Sequence, residues 1–80
     1  MTSGYLERAR QLHREGKVFE AAHLYRLAAD QGNAAAQTAL GVLYQHGSGG
    51  LPKDEYQAVR LFRLAADQGD ADALSHLGLS

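Results

Sequence analysis

The chain has 80 residues, enough for one small domain, and its 45% hydrophobic and 21% charged residues are typical of a folded rather than a disordered protein. Eight basic and nine acidic residues give a net charge of −1, which supplies no long-range attraction for nucleic acid or an anionic membrane. The absence of cysteine excludes disulfides and thiolate chemistry.

The N-terminal sequence and the apolar runs bear on location. The first residues contain no basic segment followed by an apolar run, so we expect no secretory signal. No stretch approaches the roughly 18–20 apolar residues that a membrane span requires. We therefore expect a cytoplasmic protein, or a fragment of a longer one, whose partners are neither nucleic acid nor a membrane.

Apolar residues recur at helical spacing along the whole chain, and no segment alternates with period two for long enough to form a strand. Each helical run ends or begins at a residue that suits a helix terminus. The pattern predicts five helices, near residues 3–15, 18–31, 34–46, 55–68 and 71–79.

The predicted helix ends depend on glycines and on short polar side chains. Glycine suits the left-handed residue that often follows a helix, and Asn or Asp suits the N-cap. The glycines predicted to end helices are Gly16, Gly32, Gly47 and Gly69, and the predicted N-caps are Asn33, Asp54 and Asp70. Asp54 and Gln57 also have the spacing of a capping box. Gly41 and Gly78 are predicted to lie inside helices, where they would permit close helix packing.

A seven-residue sequence occurs twice, at 26–32 and at 63–69, an offset of 37 residues (63 minus 26). The same offset relates Phe19 to Tyr56 and Leu40 to Leu77. Helices joined by short connections run antiparallel, and repeated hairpins stack into a solenoid. The sequence therefore predicts an all-α fold of about two helical hairpins plus a final single helix.

The second hairpin has a recognisable motif, which continues into the final helix. The motif reads Ala36-x-x-x-Leu40-Gly41-x-x-Tyr44-x-x-Gly47-x-Gly49, then Asp54-x-x-x-Ala58, Ala65-Ala66-x-x-Gly69 and Ala73-x-x-x-Leu77-Gly78. It resembles the Sel-one-like repeat (SLR), a family related to tetratricopeptide repeats. The resemblance implies a right-handed α/α superhelix and a role as an adaptor or scaffold that binds a protein or peptide.

The resemblance also divides the chain. Residues 3–32 are similar to a plain tetratricopeptide hairpin, because they follow that spacing without a long glycine loop. Residues 34–69 match one Sel-one-like repeat. Residues 71–80 would be the first helix of a further, incomplete repeat within a single repeat domain.

No group of residues suggests catalysis, a cofactor or a metal. The histidines at 13, 23, 46 and 76 include no i, i+4 pair, so a metal site would need them to converge from separate helices. The glycine loop at 47–50 lacks the lysine and Ser/Thr of a P-loop, which favours a connecting loop over a phosphate site. We predict a protein that is not an enzyme; a regulatory domain detached from an enzyme is a weaker alternative.

Two further features have structural interpretations. The basic residues Arg8, Arg10, Arg14 and Lys17 are interrupted by acidic ones and are interpreted as a solvated helix face. The aromatic residues recur with the repeat and are interpreted as core. They are Phe19, Tyr25, Tyr44, Tyr56 and Phe62.

In solenoids of this kind the first helix of each hairpin lines the concave face. The side chains that face away from the apolar stripes there form a mixed polar surface, basic at one end and acidic at the other. They are Leu6, Arg10, His13, Thr38, Gln45, Asp72 and Ser75. This surface either binds an extended peptide or is a solvated face, and the sequence leaves both open.

The last helix leaves apolar side chains with no following helix to cover them. They are Leu74, Leu77 and Leu79. Exposed apolar patches usually mark interfaces. The alternatives are a structural or oligomerising element that self-associates through this helix, or a piece of a longer repeat array.

Overall fold

A computed structural model describes residues 4–79, which form five α-helices and no strand. The helices are α1 (Gly4–Arg14), α2 (Val18–Asp30), α3 (Ala34–His46), α4 (Glu55–Asp67) and α5 (Ala71–His76). Each helix packs on the next along the chain. The predicted all-α fold of two hairpins plus a final helix is confirmed. No helix among these residues is long and apolar enough to cross a membrane.

The three predicted N-caps are confirmed, because each side chain accepts a hydrogen bond from the backbone N–H three residues later, at 2.9–3.1 Å. The predicted capping box is only half formed. The backbone N–H of Asp54 donates to the Tyr44 carbonyl at 2.9 Å, and the Gln57 side chain accepts instead from Arg60 at 3.2 Å. The start of α4 is therefore attached to the end of α3.

Glycines end the helices as predicted, with one correction. The four glycines predicted to end helices have φ between 67° and 89°. The prediction that Gly78 lies inside the last helix is wrong, because α5 ends at His76 and Gly78 has φ 77°. A left-handed residue cannot continue a helix, so Gly78 follows α5 in the way that the other glycines follow their helices.

Gly41 is the one helical glycine whose close contact is confirmed. A Cβ atom at this position would lie 2.7 Å from Cε1 of Phe62, closer than real Cβ contacts. Phe62 is only 1% exposed and is the largest fully buried side chain in the described residues. The missing side chain at Gly41 thus allows α3 and α4 to enclose the Phe62 ring.

The prediction that the repeated aromatic residues are core is wrong for two of them. Tyr25 and Phe62 are buried, but Phe19 is 73% exposed and Tyr56 is 76% exposed. Each exposed ring lies six residues before the buried one on its helix, which places it about 120° around the helix axis. The 37-residue repeat therefore preserves both the aromatic side chain and its exposure at each position, but recurrence by itself does not show that an aromatic residue is buried.

Candidate functional site

The predicted concave-face residues differ in exposure. Arg10, His13, Asp72 and Ser75 are exposed, whereas Leu6 and Gln45 are half-buried. Leu6 packs against the core cluster formed by α1, α2 and α3. Of the predicted residues, those on α1 and α5 that carry polar side chains are therefore exposed, and Gln45 of α3 is half-buried.

The prediction that Thr38 faces solvent is wrong. Its side chain is 7% exposed, and its hydroxyl donates a hydrogen bond to Oδ2 of Asp70 at 2.7 Å. The same oxygen accepts from the backbone N–H of Ala73 and so caps α5. Thr38 is buried because this hydrogen bond satisfies its hydroxyl, and it connects α3 to the start of α5.

Gln37 is a second buried polar residue on α3, which the sequence did not single out. It is 5% exposed. Its Nε2 donates to the carbonyl of Ala29 at 3.3 Å, and its Oε1 accepts from Gln68 at 3.1 Å. One amide thus connects the ends of α2 and α4. Thr38 and Gln37 are structural contacts between the hairpins, and neither is available to a partner.

Arg10 and His13 lie together at the α1 end of the surface. With Arg14 and Tyr25 they line a surface depression of about 350 Å³. Tyr25 comes from α2 and is 4% exposed. Its hydroxyl lies 3.4 Å from Nδ1 of His13, and the two rings meet edge to face with centroids 6.0 Å apart. Arg10, His13 and Arg14 of α1 therefore line this depression together with Tyr25, whose ring is buried.

The electrostatics of this depression are positive. Burial raises the pKa of the Tyr25 hydroxyl, and the positive charges of Arg10 and Arg14 lower it in part. The net pKa is raised, so the hydroxyl keeps its proton at neutral pH and can donate a hydrogen bond. Between residues 4 and 79, the one ion pair within 4.0 Å joins Lys17 to Glu15. The two arginines thus form no close ion pair in this part of the chain, although the Glu7 side chain lines an adjoining depression with both of them.

The predicted apolar end is only partly uncovered. Leu79 is 56% exposed, but Leu74 and Leu77 are half-buried. Leu77 packs against the cluster that contains Phe62. The three leucines line a groove of about 450 Å³ together with Arg63, Ala66 and Asp67 of α4. This groove combines apolar side chains with one cationic and one anionic side chain.

An adjoining apolar surface on α4 was missed. Tyr56, Val59 and Leu64 are exposed there. The 37-residue offset relates Tyr56 and Val59 to Phe19 and Ala22 on α2. The loop between α3 and α4 packs on those two residues, because Cβ atoms added at its glycines would lie 2.7–3.0 Å from them. The 37-residue offset is the signal that points to this surface. It relates Tyr56 and Val59 to two residues that a loop contacts on α2, and no loop of the described residues covers them on α4.

No metal site is apparent in the described part of the chain, where no three His, Cys, Asp or Glu side chains come together. The four histidines lie apart on different elements, and one of them, His76, stacks on Phe62 with centroids 4.7 Å apart. Nothing in residues 4–79 suggests that a cofactor is bound.

Comparisons with known proteins agree with this architecture. The family model described as Sel1 repeat matches residues 18–33 and 34–70. A solved structure described as a Sel1 repeat protein from Oxalobacter formigenes is 30% identical and superimposes with a TM-score of 0.81. The alignment covers 100% of this chain but 37% of that protein, so the chain spans little more than a third of its length. No curated protein matches the chain significantly.

Proposed function

Since the chain belongs to the Sel1 repeat family, whose helical repeats generally act as protein-interaction modules, we propose that it is a non-catalytic adaptor that binds a protein or peptide partner on its concave face.

The observation that supports this proposal most is the polar character of the two ends of the concave face. Arg10 and His13 are exposed at the α1 end, and Asp72 and Ser75 are exposed at the α5 end. Gln45 on α3 is half-buried. An extended peptide that crossed the helices could pair with opposite charges at its two ends and donate or accept hydrogen bonds in the middle.

Two substitutions on this face test the proposal. Arg10→Glu reverses an exposed charge, and Gln45→Ala removes an amide without adding charge. We expect both variants to fold. Arg10→Glu should recover a native partner about tenfold less efficiently, because a hydrogen bond to a charged group contributes about 1.5–3 kcal/mol, and Gln45→Ala about threefold less efficiently, because a neutral hydrogen bond contributes about 0.5–1.5 kcal/mol. The measurement is crosslinking capture from a native lysate, quantified against the unmodified chain.

Arg60→Glu is the matched control, because Arg60 is also exposed but lies on α4. It should leave capture unchanged. If the control reduces capture as much as Arg10→Glu does, the effect comes from net charge and not from the concave face. Equal capture by all three variants would contradict the proposal outright.

A second candidate function is self-association through the groove at the C-terminal end. Leu79 lines this groove together with Arg63 and Asp67. In a two-fold dimer each contact occurs twice, so Arg63 of one copy could pair with Asp67 of the other on both sides of an apolar centre. The groove is thus complementary to the same groove on another molecule, which favours a second copy of the chain as the binding partner.

Leu79→Asp tests self-association, because Leu79 is the most exposed leucine of the groove and its loss disturbs little of the core. We expect light scattering at micromolar concentration to show a dimer for the unmodified chain and a monomer for the variant. Phe19→Asp, which replaces an exposed apolar side chain on α2, should remain dimeric. A monomeric unmodified chain would contradict this candidate.

A further inference from the structure

We infer that Arg10, Arg14 and the Tyr25 hydroxyl form a binding site for an oxyanion group, a phosphate or a carboxylate, on the partner peptide. The inference rests on the proposed function, since it specifies the chemistry by which one end of the concave face would recognise a partner. The site is the depression of about 350 Å³ that these residues line with His13.

Arg10 and Arg14 make no ion pair within 4.0 Å in the described residues, although Glu7 lines an adjoining depression with both of them. Arg10 and Arg14 lie one turn apart on the same face of α1, where like charges repel and cost about 0.2–0.5 kcal/mol. Two arginines elsewhere are engaged: Arg26 donates to the Tyr44 hydroxyl, and Arg60 donates to Gln57. A bound oxyanion would remove the repulsion at α1 and accept hydrogen bonds from both guanidinium groups.

Tyr25 supplies the fixed part of the site. Its ring is buried in the core cluster of the first hairpin, so its hydroxyl is held in place at the edge of the depression. The neighbour of that hydroxyl is His13, at a long 3.4 Å. The hydroxyl can therefore donate to a ligand oxygen without losing a strong hydrogen bond.

Comparison with the second hairpin separates this site from ordinary repeat packing. Phe62 occupies the position equivalent to Tyr25 at the 37-residue offset, and it is buried equally well without a hydroxyl. One face of the Phe62 ring is covered by His76, which stacks on it. Packing at this repeat position thus does not require a hydroxyl. The Tyr25 hydroxyl and the arginines beside it are particular to the first hairpin.

The first experiment titrates the full chain with sodium phosphate or sodium acetate at constant ionic strength, followed by NMR. We expect saturable shifts of the Arg10 and Arg14 side-chain Nε–H signals and of the Tyr25 ring signals. The double variant Arg10→Gln/Arg14→Gln should weaken binding about tenfold or more. The matched control Lys53→Gln/Arg60→Gln removes the same charge from exposed positions on and just before α4, and should change the dissociation constant by less than about twofold.

A second experiment distinguishes the two sources of the oxyanion. One fluorescent peptide is prepared with phosphoserine, glutamate or serine at the same central position, and its binding is measured by anisotropy. We expect the phosphoserine or the glutamate peptide to bind at least about tenfold more tightly than the serine peptide. Whichever binds more tightly identifies the source.

The variant Tyr25→Phe tests the hydroxyl by itself. It should fold, because a phenylalanine ring is already buried at the equivalent position of the second hairpin. We expect it to weaken binding of the tighter peptide about threefold, the effect of losing one neutral hydrogen bond. An unchanged dissociation constant would remove Tyr25 from the site.

Equal weakening by the two double variants would overturn the inference, because it would show a response to net charge. Shifts that do not saturate, or equal binding of all three peptides, would overturn it as well. The adaptor proposal can fail separately. If partner capture depends on Gln45 but not on Arg10 or Arg14, the oxyanion site is wrong and the adaptor function stands.

Discussion

Replacing Phe62 with alanine should lower the free energy of unfolding by about 3–5 kcal/mol, the usual cost of removing a buried aromatic ring. Phe62 is 1% exposed and fills the space left by Gly41. It also stacks on His76. The variant leaves a cavity where α3, α4 and α5 meet, and a small domain has little stability to lose. Urea denaturation followed by far-UV circular dichroism measures the change.

Phe19→Ala is the control for this prediction. It removes the same atoms as Phe62→Ala, but from a side chain that is 73% exposed, so we expect a loss of no more than about 0.5 kcal/mol. If the two variants were equally stable, Phe62 would not be the centre of the buried cluster that it forms with Ala58, Ala65 and Ala73. The packing of α5 on α4 would then need another explanation.

The helices and their ends are predictable because their signals are local. An N-cap such as Asn33 acts on the backbone three residues away, and a glycine such as Gly47 acts on its own backbone angles. The repeat adds long-range information, because an offset of 37 residues relates two hairpins that must pack in similar ways. Local chemistry and periodicity together are sufficient for the fold.

The errors arise where burial depends on the neighbouring element. A polar side chain such as Thr38 is expected at the surface, yet Asp70, 32 residues later, gives its hydroxyl a buried partner. An aromatic residue such as Phe19 is expected in the core, yet it is exposed. Gly78 occupies the repeat position of Gly41, but α5 ends before reaching it. A periodic sequence predicts equivalent positions, and the environment of each position still depends on what packs there.

Only part of the candidate site can be predicted from the sequence, because its geometry also depends on how α2 packs against α1. Arg10 and His13 can be found from the sequence, because a helical wheel is enough to identify polar residues on the exposed side of a helix. Tyr25 is correctly predicted as core, as its 4% exposure confirms, but its hydroxyl reaches the surface beside two arginines. The sequence does contain a signal for this hydroxyl, because Tyr25 carries one and Phe62, at the equivalent position of the repeat, does not.

Replacing Gly49 with alanine should lower the free energy of unfolding by about 2–5 kcal/mol, from two costs that add. Gly49 has φ 67°, a left-handed conformation that costs other residues about 1–2 kcal/mol. Its new Cβ would also lie 3.0 Å from both the carbonyl oxygen of Val18 and the Cβ of Ala22. Overpacking of this kind typically costs about 1–3 kcal/mol. Urea denaturation of the variant measures the sum.

Gly69→Ala separates the two costs. Gly69 has φ 88°, but a Cβ there would meet nothing within 4 Å, so this variant should lose only the conformational contribution of about 1–2 kcal/mol. A larger loss at Gly49 would show that the loop between α3 and α4 is packed on α2 in solution. Equal losses would show that the added Cβ meets no obstacle, so that the loop is not tightly packed on α2 at this position.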